Sequence, residues 1–188
     1  MTLTTKGIVL RVIRYSDTQE IHTVFTEALG VISLMTRIQK RELIPPLFEG
    51  DFTLRKGKSF FQLIDARQTV SHGPIRDELH FIETAFKLLH YILKSQMQMK
   101  PAAALYHLFS AFLRQIPLVK NMEVLKGVFL AKLLFHEGHL DPDHPLLPIL
   151  ATLKSFKDFN ELVVSNEELK EIEEIFDEIY GKSAVEQR

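Results

Sequence analysis

Five short runs rich in Val, Ile, Thr and Phe occupy residues 7–15, 20–26, 30–38, 48–55 and 59–65, each bounded by turn-forming residues. So many β-prone runs in the first 66 residues predict a small closed barrel, a common platform for nucleic acid. The clearest alternation puts Phe48, Gly50, Phe52 and Leu54 on a core face and Glu49, Asp51, Thr53 and Arg55 on a wet one. Between the fourth and fifth runs, Arg55-Lys56-Gly57-Lys58 reads as a tight hairpin whose glycine supplies positive φ and whose lysines face solvent. The segment from Gln39 to Leu47, with Lys40, Arg41 and the pair Pro45-Pro46, reads as a mobile basic loop.

At Ser71-His72-Gly73-Pro74 the pattern changes, and from Asp77 the apolar spacing turns helical, with Leu79, Ile82, Phe86, Leu89 and Leu93 on one face. That places a domain boundary near residue 74, giving an α+β chain with a barrel over 1–74 and an all-helical body over 75–188. Helices are expected from near Pro101 (Leu105, Leu108, Phe112, Ile116), over Met122 to Glu137, and over Leu146 to Phe156. The last helix has the best local signature: Ser165 and Glu168 as a capping box, Leu169, Ile172, Phe176 and Ile179 on one face, and Gly181 as its stop.

Charge divides along the same line. Residues 1–74 hold ten Lys and Arg against seven Asp and Glu, whereas residues 75–188 hold thirteen against seventeen, so a net charge of -1 hides a basic front and an acidic back. The front's cations gather at Arg37, Lys40 and Arg41 and at Arg55, Lys56 and Lys58, with Tyr15 and Phe60 near strands where they could stack bases. Arg11 and Arg14 add to this set, but strand alternation puts them on opposite faces unless a bulge intervenes. Ordinary solubilising charge is the plain alternative.

Composition narrows the chemistry. With no cysteine, a disulfide framework, a thiolate zinc site and a cysteine nucleophile are all excluded. No signal pattern opens the chain and no apolar run approaches the roughly 20 residues needed to span a bilayer, so a cytoplasmic, membrane-free protein is expected. Gly181-Lys182-Ser183 resembles the end of a phosphate-binding loop, yet Phe176 stands where that motif needs glycine. His136-Glu137-Gly138-His139 falls one residue short of a zinc-protease helix, although His136, His139, Asp141, Asp143 and His144 could gather a metal in a loop. No serine elbow or carboxylate dyad emerges, and no enzyme is expected.

The residues Lys6 to Arg11, Tyr15-Ser16-Asp17, Thr23 to Thr26, Gly30-Val31-Ile32 and Phe48 to Lys58 resemble, in order and spacing, the RecO DNA-repair proteins. Arg37, Lys40 and Arg41 fall at that family's basic loop. Leu133-Leu134, Gly138 and Pro142 resemble the pattern that precedes a four-cysteine zinc module in many members, which this chain lacks. The resemblance implies a metal-free, cofactor-free recombination mediator: an oligonucleotide-binding (OB) barrel and a helical domain that bind single- and double-stranded DNA and anneal complementary strands. It also implies work with RecR and with the single-strand DNA-binding protein, helping RecA onto gapped DNA. For a partner's acidic, aromatic-ended tail, Arg114, Lys120 and Lys126 are the nearest helical cations. Two other readings compete: an interaction module that docks a protein on its acidic helices without DNA affinity, and a metal-dependent enzyme built on the His136 to His144 loop.

Overall fold

The structure, a computed structural model, describes residues 2–38, 44–58, 60–152 and 159–181. Five strands, β1 (Thr2–Arg14), β2 (Gln19–Thr26), β3 (Gly30–Arg37), β4 (Glu49–Lys56) and β5 (Phe61–Val70), close into a barrel in the order β1-β2-β3-β5-β4. All neighbours are antiparallel except β3 and β5, where Leu34 and Met35 pair with Phe61 and Gln62. β1 begins five residues before the apolar run that predicts it, because Thr2 to Lys6 are the partners of Arg55 to Asp51 that close the barrel. Following cross-strand partners from Thr2 through Arg55, Gln62, Met35 and Ile21 returns to β1 at Ile13, eleven residues along. A stagger of that size obliges the strands to tilt about the barrel axis.

Inward-facing Val9, Val24, Ile32, Leu34, Phe52 and Leu54 fill the barrel, with Val12, Phe48, Phe61 and Leu63 packed against them. A register shift between Val9 and Arg11 marks a bulge in β1. Where it falls, Val9 exchanges backbone hydrogen bonds with Leu47 and Phe48.

Two sequence expectations are corrected in the barrel. Glu49, assigned to the wet face, is 3% exposed, because His72 and Ser110 cover that end of the sheet. Gly57 is not among the glycines with positive φ; it is needed because a Cβ there would collide with the Phe60 carbonyl oxygen.

The chain divides into two compact units, residues 1–73 with 96–110, and residues 74–95 with 111–188. In the first, the residues from Gln96 onward cover one end of the barrel's outer surface: Phe25 meets Tyr106 and Phe109 at ring separations of 5.9 and 6.3 Å. In the second lie α1 (Leu79–Ser95), α3 (Met122–His136), α4 (Leu146–Thr152) and α5 (Asn166–Tyr180); α2 (Ala103–Gln115) is divided between the units.

The buried seam of α1 shares Leu89 with the predicted face but is shifted from it. Thr84, Ala85, Leu88, Leu89, Tyr91 and Ile92 are buried, whereas Leu79 and Phe86 are 71% and 48% exposed. Small residues let neighbouring helices approach, and a reading that follows large apolar residues overlooks them. α3 and α5 approach closely at Gly127, where a Cβ would strike Leu169. Phe112, Phe129 and Phe159 pack together at 5.3 and 5.7 Å. The capping box at Ser165 and Glu168 forms as read, but Gly181 ends α5 in the right-handed region, at φ -67. The far end of the helix read over Leu146 to Phe156 lies outside the described residues.

Candidate nucleic-acid interface

Register alone assembles a surface on the outside of the barrel. Arg55, Gln62, Met35, Ile21 and Ile13 are successive cross-strand partners on β4, β5, β3, β2 and β1. Directly paired residues point to the same side of a sheet, so these five form one outward row with strands about 4.8 Å apart. The row below it is Arg11, Thr23 and Ser33, and the row above joins Gln19 to Arg37. At that upper edge the backbone N–H groups of Tyr15 and Ser16 donate to Gln19 O at 2.9 and 3.1 Å. The result is a band with apolar centre and cationic margins, bounded by the β1–β2 turn and the β4–β5 turn. Ile13, Tyr15 and Ile38 are 44%, 63% and 40% exposed, large values for apolar bodies on a small barrel.

The predicted cations do not all belong to it. Arg37, Arg55 and Arg11 lie on the band, exposed. Arg14 pairs with Glu20, one residue off the outward row, and its Nη2 is 3.4 Å from Asp17 Oδ1; no bulge brings it onto the face of Arg11, since the register shift precedes Arg11. Lys56 pairs with Phe61 at the barrel rim, and Lys58 stands in the turn beyond, both exposed. Lys40 and Arg41 lie outside the described residues. Among the described residues, Arg11, Arg37, Arg55, Lys56 and Lys58 have no carboxylate partner, which leaves them available to an external anion.

Sequence reasoning missed the aliphatic centre of the band, Ile13, Ile21 and Met35. The signal was present: alternation carried past Arg11 puts Ile13 and Tyr15 on its face. One step inside the rim lies His22, 3% exposed, with Nε2 3.3 Å from Glu20 Oε2. Burial holds its pKa below the ordinary histidine value, against the opposing pull of Glu20.

The helical cations are dispersed. Lys126 Nζ is engaged by Glu123 at 2.7 Å and lines a cavity of about 160 Å³ with Gly127, Leu169 and Glu173. Arg114 and Lys120 are exposed on either side of Leu118, itself 69% exposed.

The metal loop does not assemble. Among the described residues no group of three or more His, Asp or Glu side chains is placed to hold a metal. His136 Nδ1 faces Glu137 at 3.1 Å, the His139 ring packs on Tyr180, Asp141 accepts from Asp143 N, and buried His144 accepts from Leu146 N. No described helix is long and apolar enough to cross a membrane.

A five-stranded barrel with this strand order, a parallel β3–β5 pair and a cation-edged band between the β1–β2 and β4–β5 turns defines an OB-fold protein followed by helices. Residues 1–71 match the family model described as recombination protein O N terminal. The chain is 29% identical to the DNA repair protein RecO of Chlamydia pneumoniae over 148 residues, which is 75% of this chain and 58% of that one. It is 28% identical to that of Chlamydia trachomatis serovar L2 over 148 residues, 75% of this chain and 60% of the other. Over 81 residues it is 36% identical to that of Chlamydia muridarum, 43% of this chain and 35% of that relative. Residues 1–71 thus resemble the N-terminal domain of recombination protein O, and the chain as a whole is similar to the DNA repair protein RecO. It spans 58 to 60% of the length of the two relatives matched over 148 residues.

Proposed function

We propose that this chain is a DNA-binding recombination mediator that holds and anneals single strands and assists RecA loading on DNA coated by the single-strand DNA-binding protein. The observation that carries the reading is the outward band, where Arg11, Arg37 and Arg55, without a carboxylate partner among the described residues, frame Ile13, Ile21, Met35 and Tyr15. Guanidinium groups take phosphate without reading sequence and release counterions as they do so, while the apolar centre gives base faces a place to lie. Annealing asks for phosphate repulsion to be screened while base edges stay free, an electrostatic task that needs no catalytic residue. The chain therefore acts without enzyme chemistry or cofactor, on single- and double-stranded DNA. The basic-loop residues Lys40 and Arg41, with Lys56 and Lys58, extend the cationic margin.

Similarity to the RecO proteins supports RecR and the single-strand DNA-binding protein as partners, with Arg114, Lys120 and Lys126 as contact candidates on the helices, in the cytoplasm. The division of labour follows the charge, with DNA on residues 1–74 and docking on 75–188. Fluorescence anisotropy of a labelled single strand against salt, with the matched duplex beside it, tests this. Binding that weakens steadily with salt is expected. Absence of binding at low salt rejects the mediator reading in favour of a protein-docking module.

A further inference from the structure

Glu49 is a carboxylate taken out of water at the first position of β4. His72 Nε2 lies 2.8 Å from its Oε2, and the side chains of both residues are 4% exposed. Ser110 Oγ donates to its Oε1 at 2.7 Å. With the carboxylate accepting from both, the imidazole carries a proton on Nε2. The strands run close together beneath it: Gly50 lies so near β5 that a Cβ there would collide with the Arg67 carbonyl oxygen.

The two partners share a position in the chain. The barrel unit ends at Gly73 and, for a second time, at Ser110. His72 is the residue before the first of these exits, and Ser110 is the second exit itself. Segments 23 and 61 residues away from Glu49 thus leave the barrel from one buried carboxylate.

We propose that Glu49 is a latch that makes these two exits open and close together, as one local unfolding event distinct from opening of the barrel. The coupling has a direct physical source. A buried carboxylate that loses one hydrogen-bond donor is less fully compensated, and the interactions that remain hold it less firmly against solvation. Releasing Ser110 therefore weakens the hold on His72, and the reverse. Local openings of this kind occur in contiguous cooperative units below the global unfolding free energy. The inference holds whatever the barrel binds.

Amide hydrogen exchange on the full chain tests it, with the variants Ser110→Ala and His72→Gln and their combination. Ser110→Ala is expected to speed exchange about tenfold or more, the ratio set by one lost hydrogen bond to a charged group, at the end of β5 around Val70 as well as in α2. His72→Gln should speed the same two segments. The double variant should exceed either single by less than the product of the two effects, and amides of the β2–β3 hairpin should be unmoved. Acceleration confined to the substituted side, or independent multiplication of the two effects, overturns the latch. A uniform rise across the barrel also overturns it, as the mark of global destabilisation. Glu49→Gln, which keeps the side-chain shape while removing the charge, guards against a folding defect: it should loosen both exits by similar factors, and loosening of only one rejects the proposal.

Discussion

Gly30 lies directly against the carbonyl of Lys100, where any Cβ would collide with the oxygen, and it does so at a φ of +70. This close approach joins the tip of the β2–β3 hairpin to the segment that follows residue 96, where Met99 N also donates to Val31 O at 2.9 Å. Two penalties therefore fall on Gly30→Ala: the left-handed conformation and the collision with backbone that cannot step aside. Together they should cost at least about 2 kcal/mol. Gly138 offers the control, because its φ is +76 but nothing lies within 4 Å of a Cβ. Gly138→Ala should cost about 1 kcal/mol, the conformational share alone. Urea midpoints compare them, and equal losses would show that the Lys100 backbone yields.

Alternation makes a sharper claim about the proposed DNA contacts than charge alone. Arg37 and Arg55 lie on the outward band, while Arg14 is turned off it and held by Asp17. Each phosphate-bound cation that Ala substitution removes should lower the salt slope of single-strand binding by about 0.7. Arg37→Ala and Arg55→Ala are each expected to show that drop, and Arg14→Ala to leave the slope near wild type. Met35→Asp, placing a carboxylate in the apolar centre, should weaken binding without removing any cation. The same titrations read all four variants, and an equal effect from Arg14 would mean that the rim, not the band, meets DNA.

The barrel is legible in the sequence because Phe52 and Leu54 alternate with polar residues and because turn chemistry separates the runs. Its closure is not, since it depends on Thr2 to Lys6, a stretch with no apolar periodicity whose role emerges only when Asp51 to Arg55 come alongside. The cations of the band are visible as residue types, but membership depends on register. Arg14 and Arg11 are alike as residue types, and alternation sets them on opposite faces because the register shift precedes both. Glu49 defeats alternation altogether, because what buries it are residues 23 and 61 positions away. In the helices the capping box at Ser165 is a local bond and reads directly, whereas the seam of α1 through Ala85 depends on a partner that local spacing does not specify.

His22 should make the barrel acid-sensitive. Burial among barrel residues lowers its folded pKa, so the unfolded chain takes up the proton first as pH falls. Stability is then full above about pH 6.5 and declines as pH falls below it, with a slope of at most about 1.4 kcal/mol per pH unit from this group. His22→Leu, on the same inward row as Val12 and Leu34, removes both the titration and the unpaired Nδ1. Urea unfolding between pH 7.5 and 5 should show wild type losing stability relative to the variant, and parallel curves would place the acid sensitivity elsewhere.

At the opposite extreme of pH the helical unit should fail through Tyr91. Its hydroxyl donates to Glu173 Oε1 at 2.8 Å, and Lys87 Nζ stands 3.4 Å from the same oxygen and 5.3 Å above the Tyr91 ring. Burial first, and then the Glu173 carboxylate, raise the phenol's pKa above its ordinary value. A raised folded pKa means that the contribution is whole below the unfolded value of about 10 and is lost as pH climbs beyond it, since the unfolded chain gives up the proton first. Tyr91→Phe should cost about 1 kcal/mol at neutral pH, the share of one partly exposed hydrogen bond. It should also flatten the alkaline loss, so the two proteins converge in stability as pH rises above 10. Chemical denaturation at pH 7, 10 and 11 measures this, and a gap that stays constant across the three values would remove Tyr91 as its source.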